Sequence, residues 1–437
     1  MSRLLELGAK IDSREARMGV VGLGYVGLPL AMEFAKEGFR VTGFELDGEK
    51  VRILEEGRSY IEDVPSADIA RAREKGLFDA TTDMNDLSQM DVINVCVPTP
   101  LTKTKDPDMS FIVSAVEAIK KRLRSGQLVI LGSTTYPGTT HDLFVPILEQ
   151  SGLSCGTDFA VAFAPERIDP ANKKFKVRNV PKVVGGETAL CTELAVKSYQ
   201  TIFDTVVPVS SSQSAELVKL LENTFRAINI GLANELALMC HRLGLDVWEV
   251  IDAAATKPYG FMKFLPGPGL GGHCIPVDPT YLSWKMKSLN FAARFIDLAT
   301  DVNGHMPDHV VERVAEILND ERLPINGSRI LILGVAYKPD VSDMRESPAL
   351  DVINLLRSKG GVVSFHDPHV AELDLDGVTL KSVDLSDDML SSSDIVVIVT
   401  DHSGIDWRRV VALSQRVFDT RNATKQVSEG REKIQKL

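Results

Sequence analysis

Short apolar runs alternate with amphipathic segments over the first half of the chain. The runs Met18 to Val21 and Arg40 to Phe44 flank a segment of period 3.6 that ends near Gly38. Three more apolar runs lie within Asp91 to Pro100, Gln127 to Thr140 and Asp158 to Ile168. Strands that alternate with helices predict a parallel sheet, because parallel neighbours need a crossover connection. The pattern therefore predicts a doubly wound α/β domain.

A long helix and a second α/β half follow. The segment from Ser214 to about Gly244 predicts one helix, which exceeds a typical globular helix in length. Its apolar positions recur at helical spacing at Leu217, Leu221, Ile228, Leu232 and Leu236. A second helical region runs to about Asn303, and then strand, turn and helix return in "RILILGVAYKPDVSDMRESPALDVINLLRSKG". Further strands are predicted in "GVVSFHDP", "SDIVVIVTDH" and "RVFDT".

The predicted fold class is α/β, with two Rossmann-like doubly wound domains joined by a long central helix and a helical region. The expected domains are an α/β domain over residues 1–205, a helical domain over 206–317, and a second α/β domain over 318–437. The polar tail from Asn422 to Leu437 is expected to be loosely held.

Composition narrows the function classes. A net charge of -11 disfavours a nucleic-acid surface. The amino terminus lacks the apolar core of a signal peptide, and no apolar run is long enough to cross a bilayer. Five widely separated cysteines show neither disulfide nor zinc-ligand spacing, so no metal is expected. A reducing cytoplasmic location fits these features.

The first turn of the chain carries a dinucleotide-binding pattern. Gly22, Gly24 and Gly27 form G-x-G-x-x-G between the first strand and a helix, and Glu45 ends the second strand. The glycines allow a pyrophosphate to approach the helix N-terminus. An acid at Glu45 accepts hydrogen bonds from ribose hydroxyls and repels a 2′-phosphate. This pattern predicts NAD rather than NADP.

Polar residues follow the other strands and share a face of the long helix. Thr99, Ser133, Thr134 and Glu166 are expected at one crevice, because open α/β sheets bind ligands where strands end. Helix capping remains the alternative for Thr99 and Ser133. Lys219 and Asn223 lie four residues apart and could hold an oxyanion together, although solvated side chains are the alternative.

A loop rich in glycine and proline holds one thiol. "PGPGLGGHCIPVD", from Pro266 to Asp278, contains seven such residues among thirteen and places Cys274 in fixed backbone. A purely structural loop is the alternative that this stretch alone leaves open.

Four motifs in order carry a resemblance over roughly Gly19 to Asn422. "VGLGYVGLPLA", "APERI", "GGHCIPVDP" and "GVAYKPDVSDMRESP" resemble those of the UDP-glucose/GDP-mannose dehydrogenase family, which oxidises C6 of a nucleotide hexose to a carboxylate. The segment Thr256 to Lys285 is most similar to the bacterial UDP-N-acetylglucosamine 6-dehydrogenase branch. The resemblance implies that residues 1–205 bind NAD, that 206–317 carry the catalytic loop and a dimer contact, and that 318–437 bind the UDP-sugar. It also implies a cytoplasmic homodimer or larger homo-oligomer that uses NAD and supplies precursors of surface polysaccharide.

The resemblance also implies residue roles. Cys274 would be the nucleophile, Lys219 and Asn223 would stabilise the oxyanion, and Glu166 would be the base for hydrolysis. Asp278 and Thr134 would orient the water. The implied cofactor contacts are Gly22, Gly24, Tyr25, Val26, Gly27, Glu45, Lys50, Thr99, Ser133, Thr134 and Arg345. The implied substrate contacts are Glu166, Arg167, Lys219, Asn223, Phe264, Gly271 and Lys338. Either Lys219 or water takes the proton of the alcohol.

Two departures and several alternatives remain. Pro170 stands where members specific for UDP-glucose carry a second acid, which favours an N-acetylated sugar, and Glu45 replaces the more usual Asp. UDP-N-acetylmannosamine or UDP-glucose is the alternative substrate. A single-step 3-hydroxy acid dehydrogenase predicts neither a role for Cys274 nor a second α/β half, and a nucleotide-sensing regulator predicts a decayed site.

Overall fold

A computed structural model describes residues 3–102, 104, 106–167, 175–272, 274–375 and 377–437. The chain divides into two compact units. The first unit comprises Met1–Glu222 and Thr280–Asn290, and the second comprises Asn223–Pro279 and Phe291–Leu437. The predicted Ile168 end of one strand and the departure at Pro170 lie outside the described residues.

The first unit is built on an eight-stranded sheet of order β3-β2-β1-β4-β5-β6-β7-β8. Neighbouring strands are parallel except for β6 and β7, which are antiparallel. The central strands are buried along their whole length, as expected for a sheet covered on both faces. The strands are β1 (Arg17–Val21), β2 (Arg40–Phe44), β3 (Phe78–Thr81), β4 (Val92–Val95), β5 (Leu128–Leu131), β6 (Ala160–Phe163), β7 (Lys182–Gly186) and β8 (Val206–Pro208).

Amphipathic helices accompany this sheet. They form two apolar cores, one of which contains Leu28, Leu30 and Phe34 of the helix after the glycine turn. The helices are α1 (Arg3–Asp12), α2 (Gly27–Lys36), α3 (Gly48–Glu55), α4 (Ser66–Glu74), α5 (Ser110–Lys120), α6 (Val145–Glu149) and α7 (Ala189–Tyr199). Single turns of 3-10 or π helix are Met84–Gln89, Thr140–Phe144 and Val177–Asn179.

The predicted long helix is present as α8 (Ser212–Leu243), and the division between the units falls within it. No proline interrupts its 32 residues, so its hydrogen-bond ladder can continue unbroken. Four more helices follow, namely α9 (Val247–Ala254), α10 (Asp278–Ser288), α11 (Arg294–Gly304) and α12 (Met306–Asp320). The second helical region therefore extends beyond the expected end near Asn303.

The second unit contains a five-stranded parallel sheet of order β10-β9-β13-β14-β15 and a separate antiparallel pair, β11 and β12. The strands are β9 (Arg329–Leu333), β10 (Val362–His366), β11 (Glu372–Leu375), β12 (Val378–Lys381), β13 (Ile395–Ile398), β14 (Val417–Asp419) and β15 (Ile434–Lys436). The helices are α13 (Pro348–Ser358), α14 (Asp387–Ser392) and α15 (Trp407–Leu413), and a 3-10 turn spans Arg431–Lys433. The predicted α/β fold class is confirmed.

The prediction of a loosely held tail is wrong. β15 pairs in parallel with β14, with Ile434 opposite Val417, and Leu437 is only 7% exposed. The tail is polar because β15 is a half-buried edge strand, and its backbone pairing holds it in place. Among the described residues, no helix combines the length and apolar character needed to cross a bilayer.

Candidate functional site

The glycine turn of the first unit is shaped for close approach of a ligand. Gly22 has φ +88°, and a Cβ at this position would lie 2.6 Å from the carbonyl oxygen of Cys96. A Cβ on Gly27 would overlap the carbonyl oxygen of Gly22, whereas a Cβ on Gly24 would meet no atom within 4 Å. Gly22 and Gly27 therefore permit the turn itself, and Gly24 leaves open space for a pyrophosphate beside the start of α2.

Glu45 lies directly beside this turn. Its Oε2 accepts a hydrogen bond from the Leu23 amide at 3.1 Å, and its Oε1 accepts from the amides of Leu46 and Asp47. The carboxylate is thus fixed at the carboxyl end of β2, where a ribose would be recognised. Tyr25 is half exposed, and Val26 occupies the N-cap position of α2.

Tyr60 belongs to the same region, although sequence reasoning missed it. Its hydroxyl donates to the carbonyl oxygen of Leu23 at 2.8 Å, and Lys50 lies over its ring at 5.8 Å. Burial, together with Glu45 and Asp47, raises the pKa of the Tyr60 phenol. A tyrosine after α3 has no motif around it, so no sequence signal could have identified it.

The loops after β4 and β5 bring Thr99, Ser133 and Thr134 to the carboxyl edge of the sheet. Thr99 is buried, and its carbonyl oxygen accepts from the Tyr281 hydroxyl at 3.0 Å. The Ser133 hydroxyl donates to the carbonyl oxygen of Val97 at 2.8 Å, so this side chain ties the two loops together. Neither Thr99 nor Ser133 caps a helix. Tyr281 was also missed, because only the tertiary structure shows its contact.

Glu166 and Arg167 follow β6. Arg167 forms an ion pair with Glu222 at 2.6 Å, and its amide donates to Glu166 Oε1 at 2.6 Å. Lys219 and Asn223 lie one turn apart on α8 and are 9% and 7% exposed. Both are therefore largely withdrawn from solvent, which disfavours the alternative of two solvated side chains.

In the second unit, the loop from Pro266 to Asp278, here called the cysteine loop, packs tightly through its glycines. A Cβ on Gly271 would lie 2.8 Å from Tyr337 Cβ and 3.0 Å from the carbonyl oxygen of Glu346. Gly272 has φ +87°, packs against the Tyr337 ring, and donates its amide to the Arg345 carbonyl oxygen at 3.0 Å. The glycine content of the loop thus follows from close backbone packing on the amino-terminal side of Cys274.

Buried amides and a carboxylate hold the two ends of this loop. The Gly267 amide donates to Asn234 Oδ1 at 2.9 Å, and Asn234 Nδ2 donates to Asn303 Oδ1 at 2.8 Å. Beyond the half-buried Cys274, the Asp278 amide donates to the Cys274 carbonyl oxygen. Asn223 Nδ2 donates to Asp278 Oδ2 at 2.5 Å. The structure therefore brings Asn223 and Asp278 together, as two predicted site residues within one unit.

A cavity of about 780 Å³ lies beside the start of the loop, at the carboxyl ends of β13 and β14. Arg421, another residue that sequence reasoning missed, lines it. A Cβ on Gly267 would lie 2.5 Å from one Arg421 nitrogen. Burial lowers the pKa of Arg421, and Asp401 and Asp419 oppose this effect. The other lining residues include Trp248, Lys263, Asp401, Trp407 and Asn422.

Three more of the predicted site residues, Phe264, Lys338 and Arg345, lie in the second unit. Phe264 stacks edge-on against Phe225 at 5.7 Å, and Lys338 lies over the Tyr337 ring at 5.5 Å. The Arg345 guanidinium pairs with Asp343 at 2.6 Å. Because Arg345 is in the second unit and the glycine turn is in the first, its role as a cofactor contact stays a prediction.

One described cluster has the composition of a metal site. Ligand atoms of Asp340, His369 and His402 lie within 4.8 Å of one another. However, His402 Nδ1 accepts the Asp340 amide at 3.0 Å, and His402 Nε2 bonds Asp367 Oδ2 at 3.0 Å. Both ring nitrogens are therefore engaged, and a metal would have to displace one of these bonds.

Comparison with known proteins matches three family models in chain order. The models of the UDP-glucose/GDP-mannose dehydrogenase family cover the NAD binding domain at residues 16–203, the central domain at 213–305 and the UDP binding domain at 331–426. The expectations of NAD as cofactor and of an NAD-dependent nucleotide-sugar dehydrogenase are thereby confirmed.

Relatives and solved structures agree with these models. A UDP-N-acetyl-D-glucosamine 6-dehydrogenase of Pseudomonas aeruginosa is 38% identical over 363 residues, 83% of this chain and 85% of that protein. A UDP-N-acetyl-D-mannosamine dehydrogenase of Pyrococcus horikoshii is 33% identical over 421 residues, 95% of this chain and 97% of that protein. A solved structure of the UDP-D-ManNAc dehydrogenase from Pyrococcus horikoshii matches with a TM-score of 0.88 at 32% identity and covers 96% of this chain and 98% of its own. With three domains in order and relatives that span most of its length, the chain belongs to the UDP-glucose/GDP-mannose dehydrogenase family.

Proposed function

We propose that this dehydrogenase oxidises the C6 hydroxyl of UDP-N-acetylglucosamine to a carboxylate in two successive steps and so supplies a precursor of surface polysaccharide. The observation that carries the proposal is the cysteine loop, in which Gly271 and Gly272 pack against Tyr337 just before the half-buried Cys274. A thiol held in this way suits covalent catalysis on an aldehyde.

The residues of the first unit fit NAD, which accepts a hydride from the substrate in each oxidation. The open space at Gly24 suits the pyrophosphate, and Glu45 is fixed where it would meet the ribose. The proposed contacts are Gly22, Gly24, Tyr25, Val26, Gly27, Glu45, Lys50, Thr99, Ser133, Thr134 and Arg345. In the first oxidation, Lys219 or water takes the hydroxyl proton, and the alcohol becomes an aldehyde.

Cys274 acts after the first oxidation. Its sulfur adds to the aldehyde carbon and forms a tetrahedral thiohemiacetal, whose oxyanion receives hydrogen bonds from Lys219 and Asn223. Loss of the second hydride converts this adduct into a thioester. Glu166 then takes a proton from water as the water oxygen adds to the thioester carbonyl, and Thr134 and Asp278 orient that water. The C–S bond breaks and Cys274 leaves as a thiolate. The carboxylic acid so formed releases its proton to solvent, and the sugar leaves as a carboxylate.

The second unit offers a site for the UDP portion. Arg421 brings positive charge to the 780 Å³ cavity, and the buried Trp248 Nε1 and Asn422 Oδ1 have no hydrogen-bond partner. An orphaned donor and an orphaned acceptor suit a polar heterocycle such as uracil. Lys338, Phe264 and Gly271 would contact the substrate from this unit, and Glu166, Arg167, Lys219 and Asn223 would contact the sugar.

The choice of sugar rests on similarity. The segment Thr256 to Lys285 and the relatives named UDP-N-acetyl-D-glucosamine 6-dehydrogenase favour UDP-N-acetylglucosamine. UDP-N-acetylmannosamine is the second candidate, because relatives of similar identity carry that name. Pro170 weakens a preference for UDP-glucose.

The direct test is NADH production from UDP-N-acetylglucosamine, UDP-N-acetylmannosamine, UDP-N-acetylgalactosamine and UDP-glucose. We expect two NADH per sugar and the highest kcat/KM with UDP-N-acetylglucosamine. A higher value with another sugar would refute the substrate assignment while preserving the reaction. One NADH per sugar would refute the double oxidation.

Cysteine variants test the mechanism. Cys274→Ala should bind UDP-sugar and NAD, because only a small side chain is lost, but the second oxidation should fall by at least about a hundredfold. In Cys274→Ser, an oxygen ester hydrolyses more slowly than a thioester, so intact-mass measurement should detect a covalent adduct. Near-normal double oxidation by Cys274→Ala would make the cysteine structural.

A further inference from the structure

A buried ion pair in the first unit joins Glu166 to a lysine that no motif identified. Lys182 Nζ lies 3.1 Å from Glu166 Oε2, and the two side chains are 3% and 10% exposed. β7, which begins at Lys182, runs antiparallel to β6 with Phe163 opposite Gly185. Extending this register by three residues on each strand places Glu166 opposite Lys182. The single strand reversal therefore brings Lys182 to the edge where Glu166 lies.

Two aromatic rings and two neutral groups, the Cys96 thiol and the Tyr199 phenol, lie near this pair. Lys182 Nζ lies 5.1 Å from the centroid of the Tyr199 ring and 5.3 Å from that of Phe203. Burial raises the pKa of the Cys96 thiol to about 12, and burial also raises the pKa of Tyr199. Both groups are therefore neutral near pH 7. The nearby cation Arg167 is paired with Glu222.

The pair fixes both oxygens of the carboxylate. Oε2 accepts from Lys182, and Oε1 accepts from the Arg167 amide at 2.6 Å. Burial disfavours the charged form of a carboxyl group, and a partner of opposite charge restores it. A protonated Glu166 could not take a proton from water.

We propose that Lys182 is a positioning residue for thioester hydrolysis, which holds Glu166 as an oriented carboxylate so that it can act as the general base. This inference rests on the proposed function. Hydrolysis transfers one proton from water to Glu166 as the C–O bond forms and the C–S bond breaks, and no redox change occurs in this step.

Lys182→Met, which keeps length but removes charge, is the main test. In NADH assays with UDP-N-acetylglucosamine, we expect kcat at pH 7 to fall at least about tenfold, since a general base contributes roughly a hundredfold or more. The acid limb of the pH–rate profile should move to higher pH, so that activity recovers as pH rises. Intact-mass measurement should show an acyl adduct that Cys274→Ala lacks.

Matched variants separate charge from folding. Lys182→Arg should retain most activity and the wild-type pH–rate profile. Lys197→Met removes a lysine of α7 that pairs with Asp12 of α1, and it should behave like the wild type. Glu166→Gln/Lys182→Met should recover the thermal stability lost in Lys182→Met but not its activity, because neither charge is then left unpaired. If Lys182→Met does not fold, Lys182→Arg keeps the proposal testable, because loss of most activity in a folded Lys182→Arg would overturn it.

The following outcomes distinguish failure of the proposed function from failure of this inference alone. A wild-type protein that releases no NADH with any of the four sugars would overturn the proposed function and this inference with it. An active wild type would overturn the inference alone if Lys182→Met had an unshifted profile and no adduct. Activity equal to wild type in the double variant would overturn the role of Glu166 as the base in the proposed function, and this inference with it.

Discussion

Glu45 is held by three backbone amides at the end of β2, so its charge has a fixed position. Glu45→Gln keeps the size but removes the charge that would repel a 2′-phosphate. We expect the ratio of kcat/KM for NAD to that for NADP to fall about tenfold, equivalent to about 1.4 kcal/mol. Glu49→Gln, on exposed α3, is the control. Equal or better kcat/KM with NADP in the wild type would contradict the assignment.

Gly271 illustrates a steric requirement without backbone strain. In Gly271→Ala, the new Cβ would meet Tyr337, Glu346 and Pro348 at 2.8–3.2 Å. We expect the loop to shift, activity to fall at least about tenfold and stability to fall by about 1–3 kcal/mol. Gly304→Ala meets no atom within 4 Å and should change neither quantity. Steady-state kinetics and urea unfolding measure both effects, and an active Gly271→Ala would show that the loop tolerates displacement.

Glu216 is a buried carboxyl near the start of α8. It accepts hydrogen bonds from the amides of Gly138 and Thr140 and from the Thr140 hydroxyl. Burial raises its pKa from 4.5 to about 7, although these hydrogen bonds oppose the shift. Between these pH values the folded state binds more protons than the unfolded state, so this group's stabilising contribution is present below pH 4.5 and is lost as pH rises to 7.

Glu216→Gln should remove this pH dependence. A shift of this size corresponds to about 3 kcal/mol, so the stability of the variant relative to the wild type should rise by up to that amount between pH 4.5 and 7. The amide also turns a donor toward backbone donors, which costs about 1–3 kcal/mol at every pH. Therefore only the change of relative stability with pH, measured by urea unfolding at several pH values, tests the titration of Glu216. Parallel pH profiles for the two proteins would refute the titration.

At the scale of elements, α8 carries an apolar stripe that the single chain leaves partly uncovered. Leu217, Leu221 and Leu232 are 43%, 60% and 62% exposed, and Phe225 and Met239 are about half exposed. Ile228 and Leu236 are partly buried. An apolar row of this length along one helix is typical of an interface between chains. We therefore propose that α8 forms the contact of a homodimer.

Charged substitutions on α8 test this contact. Leu221→Glu/Leu232→Glu should shift sedimentation at micromolar concentration from dimer to monomer, because a buried unpaired charge opposes association. Leu5→Glu, at a leucine on α1 that is 51% exposed, is the control and should remain dimeric. A fully active wild-type monomer would contradict the proposed dimer, and a dimeric double variant would place the interface elsewhere.

At the scale of the whole molecule, the two nucleotide-type sheets differ in the turn that follows their first strand. The first presents an open glycine turn, whereas in the second Asp367 Oδ2 accepts the amides of Val335 and Ala336, in the turn after β9. The backbone donors of that second turn are thus already occupied by a side chain. This difference suits a dinucleotide in the first unit and a UDP group, bound through cationic side chains, in the second.

Hydrogen exchange can test this division. NAD should protect peptides that contain Gly22 to Gly27 and Glu45, whereas UDP should protect the loop from Lys263 to Gly272 and the segment around Arg421. Protection reports ligand-stabilised backbone, and it does not depend on turnover. UDP alone protecting the glycine turn, with no effect on the loop, would contradict the assignment.

Local patterns were sufficient to predict much of the fold and to indicate candidate residues for the site. Apolar runs, helical period and turn glycines predicted β1, β2 and α8, because each depends on neighbours only a few residues apart. The same holds for the glycine turn and the cysteine loop, whose motifs are continuous in sequence. The short strands β3, β7 and β8 were not predicted, because three to five residues, some of them exposed or glycine, carry little periodicity.

Tertiary structure alone decided which distant residues meet. The antiparallel entry of β7 places Lys182 beside Glu166, and Tyr281 and Glu216 fasten loops more than seventy residues away in sequence. Pairings of this kind depend on strand direction and register, which local periodicity does not encode. The wrong prediction of a loosely held tail has the same reason. Its low hydrophobicity suggested mobility, but its backbone pairs with β14 at the edge of the sheet. Residue types therefore indicated the proposed chemistry, and long-range packing set the positions of the candidate site residues.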